Sequence, residues 1–193
     1  VDSGPWTVVS PSSTAMTIVV AGLANGTSYS FKVRAVNIAG SGAGSNSENS
    51  IPSTTPDAPT GLIATSQNSQ LSIAFSAPVF DGGSAITNYE YKVGSGAWVA
   101  VNPASVNTVV VVPGLTNGTT YSVKLRAVNP AGPGAESVAV SETPLAVPEA
   151  PTDVVATPSD GVVSLSFAAA IDGGSPVTHY EYQLGSGSWV TLN

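Results

Sequence analysis

His179 and two pairs of carboxylates are the side chains of this sequence that could act as general acids or bases. His179 is the single histidine, and one period earlier its place is taken by Asn88, so no serine–histidine–aspartate arrangement recurs. The carboxylate pairs do recur, as Asp81 with Glu90 and as Asp172 with Glu181. In such a pair we expect a loop aspartate that accepts backbone N–H bonds and a strand glutamate that faces cations. We predict no catalytic residue and no enzyme activity.

The composition argues against cofactors, metals and anionic partners. Cysteine is absent, which excludes disulfides and thiolate metal sites, and the Asp-Gly-Gly-Ser loop at 81–84 offers one carboxylate where a calcium loop gathers several. The formal net charge is -7 with five Lys plus Arg, so there is no basic patch for a nucleic acid or an anionic membrane. Apolar runs such as 109–112 are too short to span a bilayer. We predict no metal, no cofactor, no nucleic-acid partner and no membrane insertion in this segment.

Tryptophan marks the period of the chain. Trp6, Trp98 and Trp189 are 92 and 91 residues apart, and the last two each follow a Gly-Ser-Gly turn. A large amphipathic aromatic beside a hairpin commonly packs over the edge of its own sheet, which is the interpretation we favour. The alternative is that the three tryptophans are glycan or partner contacts, because identical aromatics one period apart suit a multivalent binder.

The stretch 115–129 recurs almost letter for letter at 23–37, and its inner part predicts a strand. Apolar residues stand at every second position from Tyr121 to Ala127, which places one apolar face inward. An Asn-Gly turn that tolerates positive φ precedes the strand, so a leucine can plug the core while the tyrosine hydroxyl reaches back to the turn. These patterns predict structural tyrosine corners at Leu23 with Tyr29 and at Leu115 with Tyr121.

This passage resembles the E-to-F connection of fibronectin type III domains, and Ala-Pro-Thr-Gly-Leu at 58–62 resembles their opening strand. Phe75 and Phe167 stand where that family usually carries a core tryptophan, and a large aromatic still fills the place. The resemblance implies an all-β fold of Ig-like (fibronectin type III) β-sandwich repeats with seven strands per repeat. The Asp-Gly-Gly-Ser and Leu-Thr-Asn-Gly-Thr-x-Tyr phrases look like those of bacterial extracellular arrays.

The function that the resemblance implies is structural: a stalk, spacer or filament segment of an extracellular or cell-surface protein, in which each sandwich contacts chiefly its neighbours. The fold alone identifies no chemistry. One alternative is a glycan- or cell-adhesion module. Another is a set of accessory repeats in a secreted polysaccharide-degrading enzyme. The expected partners are adjacent repeats of the same or of identical chains, with glycans as the alternative.

The period divides the chain into a C-terminal half repeat at 1–55, a complete repeat at 56–147 and an N-terminal half repeat at 148–193. The proline-rich linker at 52–59 is expected to be extended and semi-rigid. Because the two ends together contain one full sandwich, we expect the halves to be completed by another chain or by continuation of a longer protein.

The strands of the first copy carry two further expectations. A strand that carries Trp6 and a strand near residues 16–21 are predicted. The closing strand of the middle copy is expected to carry Val138 and Val140, whereas Asn46 and Glu48 take those places in the first copy. The loss of the apolar pattern predicts a poorly specified register there.

The outer face of the middle copy is expected to carry an ion pair. Glu90 should lie across from Lys124 or Arg126, because the strands that contain them are neighbours in a sandwich of this type.

Overall fold

The computed structural model describes residues 6–7 and 12–191, and over these residues every regular element is a β-strand. The predicted all-β, Ig-like sandwich is confirmed. It is complete in the middle of the chain, where residues 56–147 are all described. Within the described residues, no helix is long and apolar enough to cross a membrane.

The middle copy, residues 56–147, is a two-layer sandwich. Its strands are β5 (Thr60–Gln67), β6 (Gln70–Ser76), β7 (Asn88–Val93), β8 (Val99–Ala100), β9 (Val109–Pro113), β10 (Tyr121–Asn129), β11 (Gly132–Pro133) and β12 (Val140–Glu142). One sheet has the order β5-β6-β9, and the other has the order β11-β10-β7-β8 with β12 also paired to β10. Because β11 and β12 are two pieces of one closing strand, the repeat has the seven strands that the resemblance implied.

The core of the middle copy lies between these two sheets. Alternate residues of β6, β9 and β10 point into it, as the period-2 patterns predict, and the buried hydrophobic residues are Leu71, Ile73, Phe75, Tyr89, Val110, Val112, Leu115, Val123, Leu125 and Ala127. Phe75 packs edge-on against Tyr89 with ring centroids 4.7 Å apart. Phe75 therefore fills the centre of the sandwich with a large aromatic ring, as we expected.

The N-terminal segment, residues 12–55, has four short strands. They are β1 (Tyr29–Phe31), β2 (Val36–Asn37), β3 (Gly40–Ser41) and β4 (Glu48–Ser50), and β1 pairs with β4 while β2 pairs with β3. Phe31 lies opposite Glu48, and one period later Val123 lies opposite Val140. The first copy therefore adopts the register of the middle copy, and the weak specification of that register stays a prediction.

The predicted strand near residues 16–21 does not form in the N-terminal segment. Its counterpart β9 in the middle copy is held by antiparallel pairing to β6. No strand equivalent to β6 pairs with residues 16–21 within the described part of the chain, so their backbone has no ladder to join. The strand predicted around Trp6 falls mostly on residues outside those described.

Val138 does not point into the core. It is 88% exposed and precedes β12, so its predicted place on the closing strand is wrong. Ser137 turns inward instead: its Oγ accepts the Leu125 N–H at 2.9 Å, and its own N–H donates to the Leu125 carbonyl at 2.8 Å. Ser45 makes the same two bonds to Val33 in the N-terminal segment. A serine therefore interrupts the closing strand in both copies; Ser137 is buried in the middle copy, whereas Ser45 is exposed in the N-terminal segment.

The C-terminal segment, residues 148–191, contains β13 (Thr152–Ser159), β14 (Val162–Ala168), β15 (Glu181–Gln183) and β16 (Trp189–Thr191), paired as two hairpins. Its apolar face is open. Val163 and Leu165 are 61% and 49% exposed, whereas their counterparts Leu71 and Ile73 in the middle copy are both 0% exposed.

Candidate functional site at the joints between segments

Two joints connect the three segments, and they are built from equivalent residues. Each joint has three parts: the Asn-Gly turn of one segment, the proline-flanked linker, and the Asp-Gly-Gly loop of the next segment. Joint 1 is formed by residues 25–26, 52–57 and 80–84, and joint 2 by residues 117–118, 144–149 and 171–175.

The same backbone hydrogen bonds close both joints. In joint 1 they run from Gly26 N to Pro52 O at 2.8 Å, from Thr54 N to Gly82 O at 2.8 Å and from Asp57 N to Phe80 O at 3.0 Å. In joint 2 they run from Gly118 N to Pro144 O at 2.9 Å, from Ala146 N to Gly173 O at 2.8 Å and from Glu149 N to Ile171 O at 2.9 Å. The linker is therefore bonded to the segments on both of its sides, which makes it stiffer than its composition alone predicts.

The linker sequence suits this bonding. Proline has no N–H, so Pro52 supplies a carbonyl acceptor and leaves no donor to satisfy. Pro56 does the same and accepts the Ala135 N–H at 3.1 Å. Thr54 and Asp57, which are not prolines, supply the N–H donors. The proline spacing of the linker therefore follows from which backbone groups must donate and which must accept.

Glycine allows the turn and the loop to meet backbone to backbone. Gly83 has φ of +80°, and a Cβ there would lie 2.6 Å from the Gly26 Cα. Gly174 has φ of +94°, and a Cβ there would lie 2.9 Å from the Gly118 Cα. Any side chain at Gly83 or Gly174 would force the joint open, because the obstacle is main chain and cannot rotate away.

Aspartate shapes each loop for this contact. The Asp81 carboxylate accepts the Gly83 N–H at 2.8 Å, and the Asp172 carboxylate accepts the Gly174 N–H at 2.9 Å. This Asx turn is the role that we expected for the loop aspartates. It leaves the following glycine facing the turn of the preceding segment.

Asn129, a buried residue of the middle copy, forms hydrogen bonds to the linker and the loop of joint 1. It is 3% exposed, and its side-chain amide donates to the carbonyls of Thr54 at 2.8 Å and Asp81 at 2.7 Å. Its side-chain carbonyl accepts the Ala131 N–H at 2.9 Å. One side chain therefore bonds the linker, the loop and its own turn, a role that sequence reasoning missed because its partners lie far away along the chain.

The tyrosine corners lie directly beneath the joint turns. The Tyr121 hydroxyl accepts the Thr116 N–H at 3.1 Å, and the Tyr29 hydroxyl accepts the Ala24 N–H at 3.0 Å. The hydrogen bond from the Thr116 backbone N–H lowers the pKa of Tyr121. Leu115 is buried in the core, and its counterpart Leu23 is half-buried. Each corner therefore holds the turn that contacts the next segment.

We expect Tyr121→Phe to lower the melting temperature of the middle copy by a few degrees without changing its fold, because the Thr116 N–H loses its acceptor. Calorimetry measures the shift, and circular dichroism checks the fold. Tyr91→Phe is the matched control, since the Tyr91 hydroxyl makes no hydrogen bond to the described residues. Equal melting temperatures for the parent and Tyr121→Phe would contradict the structural role of the corner.

The three tryptophans are covered to different extents. Trp98 is half-buried, with the Arg126 guanidinium 4.3 Å and the Lys92 ammonium 4.7 Å from its ring centroid. Trp6 has Arg34 at 4.3 Å, the same contact one period earlier. Trp189 is 63% exposed. Cations over the ring favour the packing interpretation for Trp98 and Trp6.

An ion pair crosses the outer face of the middle copy. Glu90 lies opposite Arg126 in the ladder between β7 and β10, and the two side chains are joined at 2.6 Å. Lys124 bonds to Glu136 instead, so of the two cations considered for Glu90 the structure selects Arg126.

Glu136 lies between two lysines. Lys92 donates to it at 2.8 Å and Lys124 at 3.0 Å, and these hydrogen bonds, that of Lys92 foremost, lower its pKa from 4.5 to about 2. The N-terminal segment has Gly44 at the equivalent position. The cluster is therefore a feature of the middle copy and not of the repeated unit.

The lowered pKa predicts a small pH dependence of stability. A carboxyl with a lower pKa in the folded state stabilises that state above its unfolded pKa of 4.5, and the contribution is lost as the pH falls toward about 2. We expect Glu136→Gln to lower the melting temperature slightly at pH 7, since exposed pairs are screened. The difference from the parent should vanish near pH 2. A difference that persists at low pH would contradict this assignment.

His179 is exposed and lies just before β15 in the C-terminal segment. Its Nδ1 is 2.9 Å from the Thr178 hydroxyl, and its Nε2 is 3.8 Å from Glu181. This contact brings the histidine next to one carboxylate, without a serine nucleophile bonded to it in the described structure. No group of three or more His, Cys, Asp or Glu among the described residues could hold a metal ion.

Comparison with known proteins identifies the class of the middle copy. The family model of the fibronectin type III domain matches residues 57–143. This part of the chain is a fibronectin type III domain.

The chain is also similar to larger proteins. Myomesin-2 of Homo sapiens is 30% identical over 194 residues, which cover 91% of this chain and 13% of myomesin-2. Neural cell adhesion molecule 1 of Bos taurus is 29% identical over 147 residues, covering 70% of this chain and 17% of that protein. The crystal structure of domains A168-A170 from titin has a TM-score of 0.44 and 24% identity, covering 51% of this chain and 36% of that one. The chain thus spans a small part of its curated relatives.

Proposed function

We propose that this chain is a structural segment of a tandem-repeat protein, a stalk, spacer or filament whose repeats are held at a constant orientation by their joints. The observation that carries the proposal is that joint 1 and joint 2 share their backbone hydrogen bonds and their glycine contacts. A binding module needs one exposed site, whereas a stalk needs every joint to be alike.

The physical reason is that identical joints generate a regular rod. When each repeat meets the next through the same contacts, the rotation and translation from one repeat to the next are constant, and the repeats form a superhelix of fixed pitch. A linker without bonds to its neighbours would let successive repeats bend independently. The hydrogen bonds of Thr54 and Ala146 to the loops oppose that bending.

A distance measurement across joint 2 tests this function. The chain has no cysteine, so cysteines introduced at the exposed residues Ser95 and Ser186 can be spin-labelled without background. We expect double electron–electron resonance on labelled chain diluted into unlabelled chain to give one narrow distance distribution, because dilution removes distances between labels on neighbouring chains. A broad distribution, like that of a flexible linker, would overturn the stalk proposal.

We further propose that the outer segments are halves of repeats, completed by adjacent repeats of an identical chain or of the same longer chain. The support comes from exposed core positions: Leu165 is 49% exposed where Ile73 is 0%, and Val33 is 56% exposed where Leu125 is 0%. In the middle copy those positions pack between the two sheets. The outer segments present the two complementary sides of that same core.

Light scattering of the 193-residue chain tests completion between chains. We expect head-to-tail polymers that grow with concentration, and we expect Leu165→Asp to abolish them because it places a charge in the shared core. Val138→Asp is the matched control, since Val138 is exposed in the complete repeat. A monomeric parent chain would contradict completion between separate chains, while the distance measurement across joint 2 would still decide the stalk function.

The proposed location is extracellular or on a cell surface, as in the bacterial arrays that the Asp-Gly-Gly-Ser phrase resembles. The name of one relative, neural cell adhesion molecule 1, supports an adhesive or surface setting for proteins with such repeats. Detection of the protein on intact cells by a membrane-impermeant label would test the location.

A further inference from the structure

The Asn-Gly turns at the two joints are also sites of chemical reactivity. In an Asn-Gly pair the backbone nitrogen of the glycine can attack the side-chain carbonyl carbon of the asparagine. A five-membered succinimide forms and ammonia leaves; water then opens the ring to aspartate or to isoaspartate. Glycine favours this ring closure because it has no side chain to hinder the approach. Asn25-Gly26 and Asn117-Gly118 are the two Asn-Gly pairs of the chain.

In the closed joint, the glycine nitrogen that would act as the nucleophile is engaged in a hydrogen bond. Gly26 N–H donates to Pro52 O at 2.8 Å, and Gly118 N–H donates to Pro144 O at 2.9 Å. The attacking nitrogen must lose this proton and turn toward the asparagine side chain, so it must first leave its hydrogen bond. Cyclisation therefore requires the turn to separate locally from the linker, and the loop glycine packed against the turn hinders that movement.

The two asparagine side chains are held differently. The Asn117 side-chain carbonyl accepts the Ser69 N–H at 2.8 Å, and its amide nitrogen donates to Asn68 at 2.9 Å. The Asn25 side chain makes no hydrogen bond to any residue that the structure describes. At Asn117, three hydrogen bonds must break before the reactive geometry is reached: the two of its side chain and the one from the Gly118 N–H. At Asn25, only the hydrogen bond from the Gly26 N–H must break.

We propose that Asn25 and Asn117 are deamidation sites gated by the joints, and that Asn25 reacts faster than Asn117 in the folded chain. The isoaspartate product prevents the joint from closing again. Isoaspartate inserts an extra carbon into the backbone between residues 25 and 26, where a Cβ on Gly26 would already lie 3.1 Å from the Gly83 Cα. A joint that has reacted to isoaspartate cannot return to its original contacts, so this product records joint opening.

Mass spectrometry of tryptic peptides tests this proposal on the full chain. After incubation at mildly alkaline pH, cleavage places Asn25 in peptide 1–32 and Asn117 in peptide 93–124, so the two sites are read separately. We expect Asn117 to deamidate about tenfold or more slowly than Asn25 in the folded chain. In urea both sites should react at the same, faster rate.

A variant of joint 2 tests whether the joint itself slows deamidation of Asn117, or whether the folded middle copy alone does so. Gly174→Ala should raise the Asn117 rate above that of the parent chain, because it removes the loop that packs against Gly118. The rate should stay below that in urea, because the bonds of Asn117 to Ser69 and Asn68 lie within the folded middle copy. Gly114→Ala is the control, since Gly114 also has a positive φ, of +75°, but a Cβ there meets nothing within 4 Å. Equal rates at Asn25 and Asn117 in the folded chain would overturn the proposal, and so would an Asn117 rate unaffected by Gly174→Ala.

Discussion

Gly174→Ala should open joint 2 while leaving the middle copy folded. The new methyl group would lie 2.7 Å from the Asn117 carbonyl carbon and 2.9 Å from the Gly118 Cα, so the turn and the loop must separate. The loop residue must also keep its positive φ of +94°, which costs an L-residue about 1–2 kcal/mol. Spin labels at Ser95 and Ser186 should then change from one narrow distance to a broad distribution.

Gly114→Ala separates steric exclusion from backbone strain in this experiment. Gly114 carries a similar positive φ of +75° in a turn of the middle copy, with open space around its Cβ position. We expect this variant to lose stability through strain and to keep the narrow distance across joint 2. If both variants broadened the distribution equally, the backbone contact between Gly174 and Gly118 would have no special role in the joint.

Asn129→Ala should be among the most destabilising single changes in the middle copy. It deletes the amide that donates to the Thr54 and Asp81 carbonyls and the carbonyl that accepts the Ala131 N–H. Because the site is nearly inaccessible to water, we expect a loss of about 3 kcal/mol in the free energy of unfolding. Urea denaturation followed by tryptophan fluorescence measures that loss.

Asn37 provides a control for Asn129 within the same chain. It occupies the same position one period earlier and accepts the Ala39 N–H at 2.9 Å, but its amide bonds to neither a linker nor a loop among the described residues. Asn37→Ala should therefore cost about 1 kcal/mol or less. A loss for Asn129→Ala no larger than that for Asn37→Ala would contradict the role of Asn129 in joint 1.

Local sequence patterns were sufficient to predict most strands and core residues of the middle copy, with Val138 as an exception. The alternation in β10 predicts its inward face, and Val123, Leu125 and Ala127 are all fully buried. The tyrosine corner could also be anticipated, because Tyr121 and its bonding partner Thr116 are five residues apart. In both cases a short stretch of chain contains the information, since the period of a strand and the reach of a turn are local properties.

The motifs that form the joints recur in the sequence, and this recurrence indicates their importance where the composition does not. Asn-Gly at 25–26 and 117–118, and Asp-Gly-Gly at 81–83 and 172–174, repeat with the period of the tryptophans. Each motif taken separately predicts a turn, which is correct. Nothing in either motif says that one turn docks on the other, because that contact joins residues of different repeats.

The sequence by itself determined the fold of the repeat, its period and the residues of its core, because these depend on hydrophobic alternation and turn chemistry along short stretches. Only the tertiary structure decided which turns meet and which strands form. Residues 16–21 have the composition of a strand but pair with no strand among the described residues, while the Asn129 side chain bonds to a linker carbonyl 75 residues away. Pairing and docking require a partner surface at the right distance, and that surface exists only once the chain has folded.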